Sequence, residues 1–160
     1  MFCALLVNAR TVDSVFHIAK SENRNQVHYG ARVDAACRPA GMRPIYAYWR
    51  MHERGPNVRE GLLGHEQPAY GIRSQRTLQR SRAGGSVRLR LRAWPDRPIK
   101  IELFRRSTGC AARGLVDIQR QPAVLRSIYV DLGFLFSVNY VLIHGVRIVD
   151  ARAVHERLQR

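Results

Sequence analysis

The chain has 160 residues, enough for one domain with a substantial core. It is 46% hydrophobic and carries no repeat or low-complexity run, which excludes a disordered tail or a solenoid. The formal charge is +15, yet 25 of the 27 basic residues are Arg and only Lys20 and Lys100 are Lys. That skew reflects a GC-rich coding sequence as much as a basic partner, so the charge favours polyanions without naming one.

The first residues, MFCALLVNAR, give a short apolar run followed by Val7-Asn8-Ala9. Modest or small residues three and one before a cut are what signal peptidase accepts. There is no basic region before the run, and at about six residues it is shorter than a usable apolar segment of an export signal. Two readings stand: the end of a signal whose start lies upstream of Met1, or a first strand or frayed end. Residues 1–14 are therefore set apart as an N-terminal segment, and residues 15–160 are read as a single all-β domain.

Val15 to Val33, VFHIAKSENRNQVHYGARV, reads as strand, polar loop, strand. Phe16 and Ile18 alternate with Val15, His17 and Ala19, and Val27, Tyr29, Ala31 and Val33 alternate with His28, Gly30 and Arg32. A four-residue loop, Glu22-Asn23-Arg24-Asn25, sets Ser21 against Gln26, Ile18 against Tyr29 and Phe16 against Ala31. In that register His17 and His28 are diagonal neighbours, roughly 7–8 Å apart between α-carbons. The asparagines suit a turn because they tolerate positive φ and bond their own backbone.

After a loop marked by Pro39 and Gly41, PIYAYWRM forms a third strand with Ile45, Ala47, Trp49 and Met51 on one face. Tyr46, Tyr48 and Arg50 occupy the other. His52 to Gly64 reads as loop with room for one helical turn, and Ala69 to Arg73 as a short strand. Arg76 to Gly85 is polar and ends in a turn at Ala83-Gly84-Gly85. Ser86 to Trp94 alternates Val87, Leu89 and Leu91 against Arg88, Arg90 and Arg92. A strand through Ile99, Ile101 and Leu103 precedes a loop over Arg105 to Ala112. A strand pair around Gln121-Pro122 and a long strand from Val138 follow, and Ala153 to Leu158 closes the chain as a strand or a helical turn. Eight or nine short strands without a long helix predict an all-β fold, an antiparallel β-sandwich or a closed β-barrel. Leu132 to Ile143 is the most apolar window and is too short to cross a bilayer as a helix.

Of the three cysteines, removal of residues 1–9 leaves Cys37 and Cys110, an even pair that in an exported chain would form one disulfide. Two thiols in a reducing cytosol are the other reading. There is no CxxC or HExxH spacing, so neither a standard metal site nor a cofactor is expected. The polar hairpin face offers His17 and His28 as weak catalytic candidates, either one a general base. His52, Glu53, His65 and Glu66 are available third groups. The proposed ligand-binding set is His17, Asn23, Arg24, Asn25, His28, Tyr48 and Arg50, with directional hydrogen bonds from the loop and a flat surface from the tyrosine. Arg88, Arg90 and Arg92 form a candidate anion-binding stripe, with Glu102 on the next strand as an available partner.

The segments FHIAKSENRNQVHYG, PIYAYWRM and PAYGI occur in the order of a similar strand with an S-x-N-x-N turn, a P-x-x-A-Y-W segment and an A-Y-G segment. With the tail YVLIHGVRIVDARAVHERL, they resemble the bacterial family called domain of unknown function 4833, over Val15 to about Leu158. Where relatives carry Glu-Arg before the turn, this chain has Ala19-Lys20, which removes an acid from that point. The resemblance implies a periplasmic or secreted setting, with the cytoplasm as the alternative, and implies no reaction. The expectation is a non-enzymatic module that binds a small ligand or an envelope component. A hydrolase using a hairpin histidine is one alternative, and an electrostatic binder of nucleic acid or anionic lipid is the other.

Overall fold

The computed structural model describes residues 10–19, 25–52, 54–55 and 58–159. Eleven strands account for most of them: β1 Arg10–Ala19, β2 Gln26–Val33, β3 Ile45–Arg50, β4 Arg59–Gly61, β5 Ile72–Ser81, β6 Gly84–Leu91, β7 Trp94–Arg106, β8 Gly109–Ile118, β9 Gln121–Leu132, β10 Val138–Arg147 and β11 Ala153–Gln159. One short helix, α1 Gln67–Tyr70, and 3-10 turns at Gly64–Glu66 and Phe134–Phe136 complete the set. The all-β expectation holds, as a sandwich-like sheet that does not close.

The sheet runs β4-β3-β2-β1-β9-β8-β7-β6-β5, with β10 on the other edge of β9 and β11 beyond it. All neighbours are antiparallel except β1 and β9, which are parallel through His17–Ala19 and Ser127–Tyr129. β9 is the joint of the molecule. Its first residues, through Val124, pair with β8, and Ser127 onward pair with β1. Between these stretches the register against β10 slips, and the buried positions change parity from Ala123 and Leu125 to Ile128 and Val130. A bulge here bends the strand and lets it pass from one half of the sheet to the other. One core results, built from Phe16, Ile18, Tyr29, Leu89, Ile101, Leu125 and Ile143 among others.

Several sequence expectations need correction. β1 begins at Arg10, so residues 10–14 belong to the strand, and Arg10, Thr11 and Val12 pair with β2. Phe16 faces Tyr29, not Ala31, and Ile18 faces Val27, not Tyr29. The register is displaced by two residues, so every side chain keeps its face. The polar stretch from Arg76 is strand, since β5 runs to Ser81, and the turn into β6 lies at Arg82–Ala83, with Gly84 and Gly85 already in β6. The stretch's many polar side chains are those of a strand whose outer face meets water. Ala69–Tyr70 is helical rather than extended, with Pro68 in the first turn where a missing N–H costs nothing. Arg105–Ala112 is mostly strand, with a two-residue turn at Ser107–Thr108 between β7 and β8.

The two ends of the strand order approach each other between β3 and β5. There the Gln75 side chain takes the place of a strand: its Oε1 accepts from Ile45 N at 2.8 Å and its Nε2 donates to Ile45 O at 2.9 Å. Gln75→Ala leaves both backbone groups without these partners, a loss of about 1–3 kcal/mol. Faster amide hydrogen exchange at Ile45 and a lower denaturation midpoint are the expected readouts. An unchanged Ile45 exchange rate would contradict this role.

Cys37, in the loop after β2, is joined by a disulfide to Cys110 at the start of β8. The loop is shaped by Asp34, whose carboxylate accepts from the Ala36 and Arg38 backbone N–H groups, each at 2.9 Å, and pairs with the Arg38 guanidinium at 2.7 Å.

Candidate functional site

The outer face of β1–β3 carries the hairpin residues singled out by sequence. His17 lies directly opposite His28, closer than the diagonal placement expected, and His28 lies opposite Tyr48. The rings stand side by side, 5.3 Å apart for His17 and His28 and 5.8 Å for His28 and Tyr48. The same cross-strand line continues through Ser127 to His144 and His155, so four histidines share one row across the sheet.

A bulge in β1 shapes this face. Between Val12 and Phe16 the pairing with β2 slips, leaving Asp13, Ser14 and Val15 opposite Gly30. The bulge turns the Asp13 carbonyl toward the Tyr48 hydroxyl, which donates to it at 2.5 Å. It also brings Ser14 Oγ within 2.7 Å of His28 Nδ1. His28 Nε2 meets Gln26 Oε1 at 3.0 Å. An amide oxygen accepts only, so the His28 proton sits on Nε2, and Nδ1 accepts from the Ser14 hydroxyl. Gly30 has no side chain because none fits: a Cβ there would lie 2.5 Å from Tyr46 Cζ and 2.9 Å from Val12 O. Gly30→Ala is expected to displace the Tyr46 ring and cost about 1–3 kcal/mol, visible as a lower melting temperature and altered Tyr46 ring resonances. A melt indistinguishable from wild type would show that the Tyr46–Gly30 contact is loose.

The electrostatics are one-sided. Burial, then the charges of His17, Arg50, His52 and Arg59, push the His28 pKa down to about 4. Burial and His52 lower that of His17. The His52 ring lies 6.5 Å from that of His28, and the Arg59 guanidinium sits 4.9 Å above the Tyr48 ring. The one described carboxylate among these groups is Asp13, 3.4 Å from Arg59, and the bond to that guanidinium lowers its pKa. Arg50 Nε is buried without a hydrogen-bond partner among the described residues.

Each expected residue therefore has a distinct place. His17 is half-buried and reachable. His28, Tyr48 and Asn25 are buried, and the first two have their polar atoms engaged within the protein. They support the face rather than present it. Arg50 lies at the end of β3, opposite Gln26. Asn23, Arg24 and Glu53 lie outside the described residues. His65 stacks edge-on against Phe136 at 5.1 Å, and Glu66 accepts from Trp49 Nε1 at 2.9 Å, so both serve other contacts. Among the described residues, no three His, Cys, Asp or Glu side chains are placed to hold a metal. Sequence reasoning passed over Ser14, Gln26 and Arg59. The alternation that marked β1 breaks at the bulge, and nothing in the composition announces that β4 returns Arg59 to this face.

The arginine stripe also divides. Arg88 is exposed and sits in a cross-strand row with Arg76 and Lys100. Arg90 instead donates to Pro95 O at 2.7 Å, and Arg92 lies in the turn between β6 and β7. Glu102 pairs with Arg113 at 2.9 Å and Lys100 at 3.7 Å, not with the stripe. Beside this row a groove of about 540 Å³ is lined by Gln79, Ser86, Lys100, Glu102, Phe104 and Arg113.

No helix of the described residues is long and apolar enough to cross a membrane. Comparison with curated proteins and with solved structures returned no match. A family model does match, over residues 16–157, the span in which the hairpin, the P-x-x-A-Y-W strand and the closing strands have now been located. By that match the chain belongs to the family Domain of unknown function (DUF4833).

Proposed function

We propose that this is an exported domain that binds a small anionic ligand on the outer face of β1–β3 and does not transform it. The observation that carries this reading is the convergence of His17, Arg50, His52 and Arg59 around a buried, neutral His28. Two guanidiniums, Arg50 and Arg59, with one described carboxylate among these groups and the His17 and His52 rings as further hydrogen-bonding groups, suit an incoming carboxylate or phosphate group. The Cys37–Cys110 disulfide is compatible with an oxidising compartment. Titration with inorganic phosphate and with malonate, followed by NMR of the histidine rings, tests the site. Saturable shifts at His17 and His52, weakened roughly tenfold in Arg59→Ala, are expected. Shifts that stay linear to high ligand concentration, or that survive Arg59→Ala unchanged, would exclude it.

One observation favours a hydrolase as the second reading. The series Ser14 hydroxyl, His28 imidazole and Gln26 amide has the order of a nucleophile, a base and an orienting group. A base with a pKa of about 4, buried near the Arg50 and Arg59 guanidiniums, accepts a proton poorly, and this ranks binding ahead of hydrolysis. Covalent labelling of Ser14 by a fluorophosphonate, absent in Ser14→Ala, would reverse that ranking.

A further inference from the structure

The hairpin between β9 and β10 ends in Gly133-Phe134-Leu135-Phe136-Ser137, closed by Gly133 N donating to Ser137 O at 2.7 Å. Phe134 is 85% exposed and Leu135 80% exposed, two large apolar side chains of a tight turn held out in water. Their exposure is not slack. Leu135 and Phe136 both adopt the left-handed conformation, with φ of 54° and 59°, a backbone state that is costly for bulky residues and is normally left to Gly or Asn. Phe136 is anchored against the His65 ring, so the turn is fixed from behind while its tip stays bare.

The sheet below the tip continues the theme. Val141 and Ile143 of β10 point into the core, so Tyr140, Leu142 and His144 lie on the outer face. Tyr129 lies opposite Leu142, and its ring is 6.2 Å from that of Tyr140. The exposed Arg157 of β11 lays its guanidinium 3.9 Å from the Tyr140 ring centroid. The order from tip to sheet is Phe and Leu, then tyrosines with an arginine. This is the order in which a bilayer offers hydrocarbon and then the interface with its phosphates. Asp131, held by Asn139 at 3.0 Å, is a carboxylate at the foot of the hairpin. Against it stands a net charge of +15 for the whole chain, which complements an anionic surface.

We propose that the β9–β10 hairpin tip is a docking wedge for an anionic lipid bilayer, with Phe134 and Leu135 entering the interface and Arg157 meeting lipid phosphates. A protein surface would not require the charge, and adsorption by charge alone would not require the strained apolar tip.

Flotation with vesicles of phosphatidylcholine containing phosphatidylglycerol, compared with phosphatidylcholine alone, tests this. Binding to the anionic vesicles is expected, falling about tenfold or more in Phe134→Ser combined with Leu135→Asn. Asn tolerates the left-handed backbone, and both positions are exposed, so the double variant keeps the fold, as its melting temperature would report. In a separate Phe134→Trp variant, tryptophan emission should move to the blue on anionic vesicles and be quenched by brominated acyl chains. Absence of binding to either vesicle would overturn the proposal. So would binding that the double variant retains and salt abolishes, which is adsorption by charge alone. Self-association of the wild type that the double variant loses, with no vesicle binding, would assign the tip to a second copy of the chain instead.

Discussion

Reduction of the Cys37–Cys110 bond is expected to lower the unfolding free energy by about 4 kcal/mol. The two cysteines are 73 residues apart in sequence, so the bond closes a large loop and removes many conformations from the unfolded chain. In the folded state it ties the loop after β2 to the start of β8, two regions that the strand order places in different halves of the sheet. A domain of this size has a total stability of about 5–15 kcal/mol, so the reduced protein would sit near the edge of folding. Urea unfolding with and without reductant measures the difference, and a Cys37→Ala, Cys110→Ala double variant should match the reduced wild type. Superimposable curves would mean that the bond contributes nothing to stability.

Acidification has the second largest expected effect. A histidine in the unfolded chain titrates near 6.5, whereas folded His28 is held down to about 4. Between those values the unfolded state binds a proton that the folded state refuses, so stability is full above 6.5 and is lost as the pH falls toward 4. The shift at His28 corresponds to about 3 kcal/mol across that window, and the lowered pKa of His17 acts in the same direction. Asp13, Asp34 and Glu156, whose pKa values lie below the usual carboxylate value, add their losses only at lower pH. Denaturation midpoints measured through the window should slope steeply in the wild type and flatten in His28→Gln. A wild-type midpoint that does not change between pH 6.5 and pH 4.5 would refute the assignment.

The parts of this fold legible in sequence were those where alternation is uninterrupted. Ile45 to Arg50 reads correctly because a strand with one buried face has period two. The same rule fails where the structure breaks it locally. At Asp13–Val15 the bulge interrupts the alternation, which hid the start of β1 and with it Ser14. At Arg126–Ser127 the parity change in β9 marks the crossing between sheet halves, but in the sequence Ala123 to Leu132 reads as one ordinary strand. The hairpin register was misplaced by two residues because hydrophobic pattern fixes which face a residue takes, not which partner of the same parity it meets. Of the candidate site, His17 and Arg50 were legible as polar residues of half-buried strands. In the sequence His52 is one of four available third groups with no reason to choose it, and Arg59 is not marked at all, because their proximity depends on how the chain beyond β3 folds back.

The parallel pairing of β1 with β9 has a consequence for the order in which the protein assembles. β1 can meet β2 as soon as the hairpin is made, but its other edge waits for residues 127–129. Contacts between such distant parts of a chain form late and slow the final step of folding. A nascent polypeptide therefore carries an open strand edge for most of its synthesis, beside an unshielded Phe16 and Ile18. A fragment ending at Gln119 lacks the joint altogether. It is expected to remain protease-sensitive, and to regain resistance when a peptide covering β9–β11 is supplied.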